Sequence, residues 1–328
     1  MNRILLIIVV LLLPIAVFTD NKEADSSFVF ADTLENKLDI NQNLEDNSQV
    51  DNIEDDNNTS HNIEVLISSQ KDKSNAYKIE LEEYIIGVVA GEMPASFEME
   101  ALKAQAVASR SFALNRINNI PNYVLSTTIN DQVYLTVEQM KTKWGNDFQY
   151  YYERVKRAVE DTKGQVVTYD GSIITAYYFA ISNGYTESSV PVFNETREYL
   201  VSVPSSWDKN YQSYQSVRTM SKASFFDRLG ITAVNLELGT INRSDTHYVR
   251  SIIINGKSFT GLEIFQKLSL KSTDFEIKEE GDNILITTYG FGHGVGMSQY
   301  GAQGMAREGY QYQDILKHYY KNTEITNI

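Results

Sequence analysis

Apolar and polar positions follow two different periods along the chain, and each change of period marks an element. "IEVLIS" (63–68) alternates at every second residue, as a half-buried strand does. "IELEEYIIGVVAGEMP" (79–94) has helical spacing instead. At ~100° per residue, Leu81, Ile85, Val88, Val89 and Glu92 fall within an arc of about 100°, with Glu92 near its middle. Glu82 and Glu83 point away from that arc, toward solvent. Pro94 stops this helix or opens the next. A second helix is predicted from about Phe97 to Ile117, "FEMEALKAQAVASRSFALNRI". Leu102, Ala106, Ala113 and Ile117 make one stripe. The opposite side (Ala104, Val107, Ala108, Ser111, Leu114) is also small or apolar, so this helix is buried nearly all round.

The middle of the chain reads as β-rich. "TKGQVVTYDGSIITAYYFAISNGYTES" (162–188) holds a strand, an Asp170-Gly171 turn and a second strand, a good hairpin signal. That second strand leads into Ser182-Asn183-Gly184-Tyr185-Thr186-Glu187, a polar turn that could line a site or be only a turn. Asn255-Gly256 marks another hairpin, "GLEIFQKLSL" a short helix, and "FEIKEEGDNILITTYG" one more strand pair. The C-terminal block carries glycines at 290, 292, 294, 296, 301 and 304. It lacks the Gly-Lys-Ser/Thr ending of a phosphate loop and the dinucleotide fingerprint. Repeated glycine there means close backbone approach, to another segment or to a ligand. No internal repeat is visible. The pattern predicts an α+β fold over residues 62–328. It would have mixed, largely antiparallel sheets, a buried helix pair at about 80–117 and a Gly-rich C-terminal helical block.

The N-terminus changes the picture of where this domain works. Asn2 and Arg3 precede an apolar run from Ile4 to Phe18, the pattern of a signal peptide or signal anchor. At ~1.5 Å per residue the run is roughly 22 Å long, short of a ~30 Å hydrocarbon core. Phe18 is a poor residue to cleave behind, which favours an uncleaved membrane anchor at 1–19. Arg3 would then stay in the cytoplasm and the rest would lie outside the cell membrane. Charge points the same way. The chain carries a formal −14, and residues 19–60, with 12 Asp/Glu against 2 Lys, account for −10 of it. Residues 20–61 read as an acidic, disordered linker that self-repels and extends. No basic stripe appears, so nucleic acid is not an expected partner.

Composition also removes whole classes of chemistry. With no cysteine there is no disulfide framework, thiol nucleophile or Cys-based zinc site. The four histidines, 61, 247, 293 and 318, form no short ligand pair, so no metal or other cofactor is expected. No Gly-x-Ser-x-Gly elbow supports a serine triad. What stands out is Glu92, an acid on an apolar helix face. Desolvation raises the pKa of such a carboxyl, the condition a general acid needs near neutral pH. The alternative is a buried acid paired for structural reasons. Lys103 and Arg110 share one stripe of the buried helix and need anionic or polar partners, either as structural ion pairs or facing a polar cleft beside Glu92. A cation that close would lower the pKa of Glu92, opposing desolvation, and the sequence leaves open which wins. His293, Ser298, Gln299 and Tyr300 stand on or beside the Gly-rich loop, in a sugar-binding or site-positioning role or as structural residues.

Two long blocks carry a resemblance. "LEEYIIGVVAGEMPASFEMEALKAQAVASRSFAL" and "GFGHGVGMSQYGAQGMAREGYQYQDILKHYY" resemble the stage II sporulation protein D family, related to the amidase enhancer LytB. "AYYFAISNGYTESS" followed by "REYLVSVPSSWD" also fits, and the resemblance spans roughly residues 62–326. It implies a peptidoglycan lytic transglycosylase that cuts between N-acetylmuramic acid and N-acetylglucosamine in strands stripped of stem peptides. The glutamate of the family's Gly-Glu-Met-Pro motif, here Glu92, would be the catalytic acid/base. Engulfment during sporulation would be the setting, with an amidase, stage II sporulation protein P, and the membrane protein M as partners. Some members bind zinc through Cys and His; a chain without Cys does not inherit that site.

Such an enzyme fits a lone inward acid, because the substrate's own C6 hydroxyl replaces water and one carboxyl serves both proton transfers. Lys103, Gln105, Ser109, Arg110, Ser182, Asn183, His293, Ser298, Gln299 and Tyr300 are the expected glycan-cleft residues. The cleft itself is expected where the helix pair meets the Gly-rich block. The rival readings are a non-catalytic glycan-binding enhancer of a cell-wall amidase, a hydrolase using a second acid such as Glu187, and a scaffold in a membrane complex.

Overall fold

The computed structural model describes residues 63–71 and 73–328. The anchor expected at 1–19 and the linker expected at 20–61 lie outside the described residues. Among the described residues no helix is long and apolar enough to cross a membrane.

The chain opens with β1 (Glu64–Ser68) and β2 (Tyr77–Glu80), an antiparallel pair. α1 (Leu81–Glu92) follows at once. Its first turn is capped by the Glu80 side chain, which accepts from the Glu83 amide, and its end is forced by Pro94, which drives Met93 to extended backbone. α2 (Met99–Asn119) is the hub of the molecule. It packs against α1 and against α4 (Phe148–Glu160), α8 (Gln299–Arg307), α9 (Tyr312–Tyr319) and β4 (Gln165–Tyr169). Its alanines admit neighbours on every side. Ala104, Ala106, Val107, Ala108 and Ala113 are all fully buried, which is the all-round burial that the composition of this helix predicts.

β3 (Leu125–Ser126) pairs parallel to β1. A loop then leads to α3 (Val137–Trp144), which begins with a capping box between Thr136 and Gln139. β4 turns into β5 (Ser172–Ile173) through Asp170 and Gly171, both with positive φ (47° and 73°), as a primed hairpin turn requires. The expected long second strand is cut short there. The chain leaves β4 after Ile174, and β6 (Tyr178–Phe179) pairs instead, in parallel, with β13 (Met297–Ser298) of the Gly-rich block. That switch brings the two distant halves of the sequence together. A short α5 (Ser189–Phe193) follows.

Residues 215–289 build a second lobe with its own core. β7 (Gln215–Ser221), α6 (Lys222–Leu229), β8 (Leu238–Arg243), β9 (Val249–Ile254), β10 (Lys257–Thr260), α7 (Gly261–Lys267), β11 (Phe275–Glu280) and β12 (Asn283–Tyr289) form two three-stranded antiparallel sheets. Phe225, Leu229, Ile252, Ile264, Phe275 and Ile284 close between them, apart from the larger core around α1 and α2. The one domain expected at 62–328 thus contains two hydrophobic cores. β14 (Glu324–Asn327) finishes the chain by pairing with β4. The protein is α+β with mostly antiparallel pairing.

Candidate active site

Glu92 is the last residue of α1, and its surroundings are set by two glycines on that helix. A Cβ at Gly87 would lie 2.1 Å from the Tyr134 ring, and one at Gly91 would lie 2.3 Å from the Val133 carbonyl oxygen. Only glycine lets the 127–136 loop lie this close to α1. The approach carries the Val133 amide onto the acid, where it donates to Glu92 Oε1 at 2.6 Å. The Tyr178 hydroxyl, delivered by β6, is a second hydrogen-bond partner of the carboxyl. The Gln132 amide donates to the Tyr178 hydroxyl at 2.8 Å, and the Tyr84 hydroxyl donates to Gln132 Oε1 at 3.3 Å. Polar contacts thus hold Glu92 on sides that are otherwise apolar.

Two opposed effects act on its proton. Burial favours the neutral acid. The Val133 amide, Tyr178 and the ammonium of Lys143 favour the carboxylate. Burial wins and lifts the pKa from 4.5 to about 7, a bias of roughly 3 kcal/mol toward the protonated form. The side chain is nevertheless half-buried rather than sealed, so a ligand can reach it. Among the described residues, no second carboxylate figures among the groups acting on it.

Of the residues expected beside Glu92, three belong to one buried chain of hydrogen bonds. Gln299 donates to Gln105 Oε1 (3.3 Å), Gln105 donates to the Ser109 hydroxyl (2.9 Å), and Ser109 bonds to Tyr178. Gln105 and Ser109 are fully buried, so they brace Tyr178 from beneath. The His293 ring meets the same tyrosine at its main chain, donating to the Tyr178 carbonyl. Its Nδ1 accepts from the Val295 amide at 3.1 Å, and its ring lies among Tyr177, Phe179 and Phe193. Burial pushes its pKa down to about 4, so it is neutral at pH 7. With both ring nitrogens engaged and no cysteine in the chain, these residues do not fit the zinc site of some relatives.

The remaining expected residues have other partners. Arg110 is fully buried and forms a two-pronged pair with Glu82, Nε at 2.9 Å and Nη2 at 2.5 Å, with Nη1 on the Gln165 carbonyl. Glu82 is therefore not solvated as its helical phase suggested. It is largely covered and also accepts from the Gly164 amide. Lys103 pairs with Glu100 and Asp161, both at 3.1 Å. Ser182 and Ser298 donate to opposite oxygens of the buried Asp208 (2.7 and 2.6 Å), tying the 182–187 turn to the start of α8. Asn183 bonds Asp274 and the Thr246 carbonyl in the second lobe. Glu187 pairs with Arg250 there at 2.7 Å. Tyr300 is buried edge-on against Phe97 and Tyr211. A surface depression of about 630 Å³, lined by Met99, Asn146, Tyr150, Glu153, Arg154 and Arg157 among others, includes neither Glu92 nor any of the expected cleft residues.

Three residues at the site were not among the sequence candidates: Tyr178, Gln132 and Lys143. Tyr178 sits in a run of apolar residues that hides it, and Gln132 in an irregular loop. Lys143 lies on α3, a helix not among those expected from the sequence, although Thr136-x-x-Gln139 at its start is a capping signature.

The stage II sporulation protein family profile matches residues 69–169, the segment that contains Glu92, Gln132 and Lys143. Stage II sporulation protein D of Bacillus amyloliquefaciens is 43% identical over 256 residues, covering 76% of this chain and 74% of that protein. Its Bacillus subtilis (strain 168) counterpart is 42% identical over 259 residues, covering 76% and 75%. The chain belongs to the stage II sporulation protein D family. A more distant relative, the amidase enhancer of Bacillus subtilis (strain 168), is 29% identical over 297 residues and is covered to 40% of its length. Membership makes this a sporulation-family protein, and Glu92 itself lies inside the segment that the family profile matches, whereas Tyr178, His293 and Gln299 lie beyond it.

Proposed function

We propose that the chain is a peptidoglycan lytic transglycosylase and that Glu92 is its single acid/base. The observation that carries this is one reachable carboxyl, whose pKa burial lifts to about 7, with no partner carboxylate acting on it among the described residues. In the proposed cycle the Glu92 proton passes to the glycosidic oxygen as the bond from C1 of N-acetylmuramic acid breaks. The resulting carboxylate takes the proton of the C6 hydroxyl on the same sugar. That oxygen closes on C1 to a 1,6-anhydro ring, and Glu92 ends protonated as it began. No water is consumed, so one carboxyl suffices where an inverting or retaining hydrolase uses two.

The hydrolase reading with Glu187 as second acid loses support from the Arg250 pair, which holds Glu187 in the contact between the lobes. Peptide-stripped strands at the septum or engulfing membrane are the proposed substrate. The amidase stage II sporulation protein P and the membrane protein M are the proposed partners, and the proposed location is the outer face of the cell membrane.

The amidase-enhancer relative favours a second reading, a non-catalytic glycan binder that stimulates an amidase. Glu92→Gln separates the two. Release of soluble fragments from peptide-stripped glycan should be lost in the variant; full release by Glu92→Gln refutes the proposal.

A further inference from the structure

Lys143 reaches the site from outside the sequence elements that announce it. It sits in the last turn of α3, where a lysine commonly bonds the carbonyls of its own helix end. Instead its Nζ crosses to α1 and donates to the Ala90 carbonyl at 2.9 Å. That carbonyl belongs to the final turn of α1, where backbone acceptors run out of intrahelical donors, and it lies two residues before Glu92. The following residue, Trp144, packs on Phe148 and Tyr151 (ring centres 6.4 and 5.8 Å) and fixes the end of α3. Lys143 is exposed along its length, yet desolvation around the ammonium disfavours the charge and lowers its pKa to about 8, while Glu92 acts in the opposite sense.

We propose that Lys143 is a positioning residue for Glu92: anchored on the Ala90 carbonyl, its ammonium stabilises the Glu92 carboxylate during the part of the cycle in which that group is ionised. The inference rests on Glu92 being the acid/base. A carboxyl that must alternate between acid and base cannot be held only by burial, because burial alone makes proton release progressively harder. A nearby cation offsets that without giving up its own protons. The other groups facing Glu92 are the hydroxyls of Tyr84 on α1 and Tyr178 on β6, both pushed to higher pKa by burial. They are neutral near pH 7 and supply no charge. Asp131, the closest acid along the 127–136 loop, acts on Tyr84 and is held by Tyr123 and the Ser126 amide, with Arg116 at 4.0 Å. Among the described residues, Lys143 is therefore the cation that acts on Glu92.

The test is an NMR titration of the Glu92 side-chain carboxyl carbon in the full chain, labelled at glutamate and assigned by the signal that Glu92→Gln removes. In Lys143→Met the midpoint should rise by roughly one pH unit, while Lys143→Arg should keep it within a few tenths. A Lys143→Met midpoint equal to that of the wild type overturns the proposal. Should Lys143→Met fail to fold, the wild-type curve decides. A second inflection near pH 8, where Lys143 loses its charge, supports the coupling, and a single inflection refutes it. The readout needs no turnover, so failure of the transglycosylase reading would appear in the product assay and not here.

Discussion

The amide of Val133 donates to Glu92 Oε1 at 2.6 Å across 41 residues of sequence. This bond exists because α1 is bare at Gly87 and Gly91. The two glycines within "GVVAG" are thus part of how the acid is held, one helical turn apart on the face that receives the loop.

Gly91→Ala should therefore act on the site through the loop. The new methyl would meet the Val133 carbonyl oxygen at 2.3 Å, and neither backbone can yield cheaply. The expected outcome is about 1–3 kcal/mol of destabilisation and a large loss of glycan cleavage in the protein that remains folded. Denaturant unfolding and cleavage measured on the same preparation check this. Ordinary stability and activity in Gly91→Ala would contradict the role given to the close approach.

The stability of the fold should record the strain of ionising Glu92. Its folded pKa, about 7, lies above the ordinary 4.5. The stabilisation from holding the proton is full below about pH 4.5 and is lost as pH rises through 7. Glu92→Gln keeps an acceptor for Val133 and never ionises. It should be more stable than the wild type at pH 8, by about 1–3 kcal/mol, and close to it at pH 4.5. Thermal melts at the two pH values measure the difference, and equal melting of both proteins at pH 8 would count against the buried acid.

His293 should produce the opposite slope. Its folded pKa, about 4, lies below the ordinary 6.5, so the unfolded chain binds the extra proton. Stability contributed by the neutral ring is present above about pH 6.5 and is lost as pH falls through 4. His293→Phe forfeits two hydrogen bonds and should be less stable at pH 7. Its stability should nevertheless fall less than that of the wild type between pH 6.5 and 4. Parallel curves for the two proteins would show that His293 does not titrate this way.

Arg110 and Glu82 should matter for folding and not for glycan recognition. The guanidinium is fully buried in a two-pronged pair, and removing one partner strands the other. Arg110→Met is expected to destabilise by about 3–5 kcal/mol. At a temperature where the variant is folded, its KM for glycan should be near that of the wild type. A selective rise in KM would put Arg110 back among ligand-contacting residues.

The sequence made the helix pair legible because its periodicity is local. Leu81, Ile85, Val88, Val89 and the acid near the middle of their arc all lie where a 3.6-residue period puts them. The Asp170-Gly171 and Asn255-Gly256 turns were legible for the same reason, since a primed turn demands those residues at those positions. What could not be read was long-range pairing. Nothing in "SIITAYYF" says that the strand should leave its hairpin partner and join Met297–Ser298, yet that exchange delivers Tyr178 to Glu92. The fate of Arg110 was open in the same way: its helical phase was clear, but its partner depended on where α1 crosses α2. The second lobe was visible as strands and a helix but not as a separate core, because a core is a property of which elements meet.

The most direct test of the central claim is mass spectrometry of the products formed from peptide-free glycan strands by the wild type and by Glu92→Gln. The account predicts 1,6-anhydromuramic ends from the wild type and none from the variant. Reducing muramic acid ends from the wild type, or anhydro ends undiminished in Glu92→Gln, would contradict it.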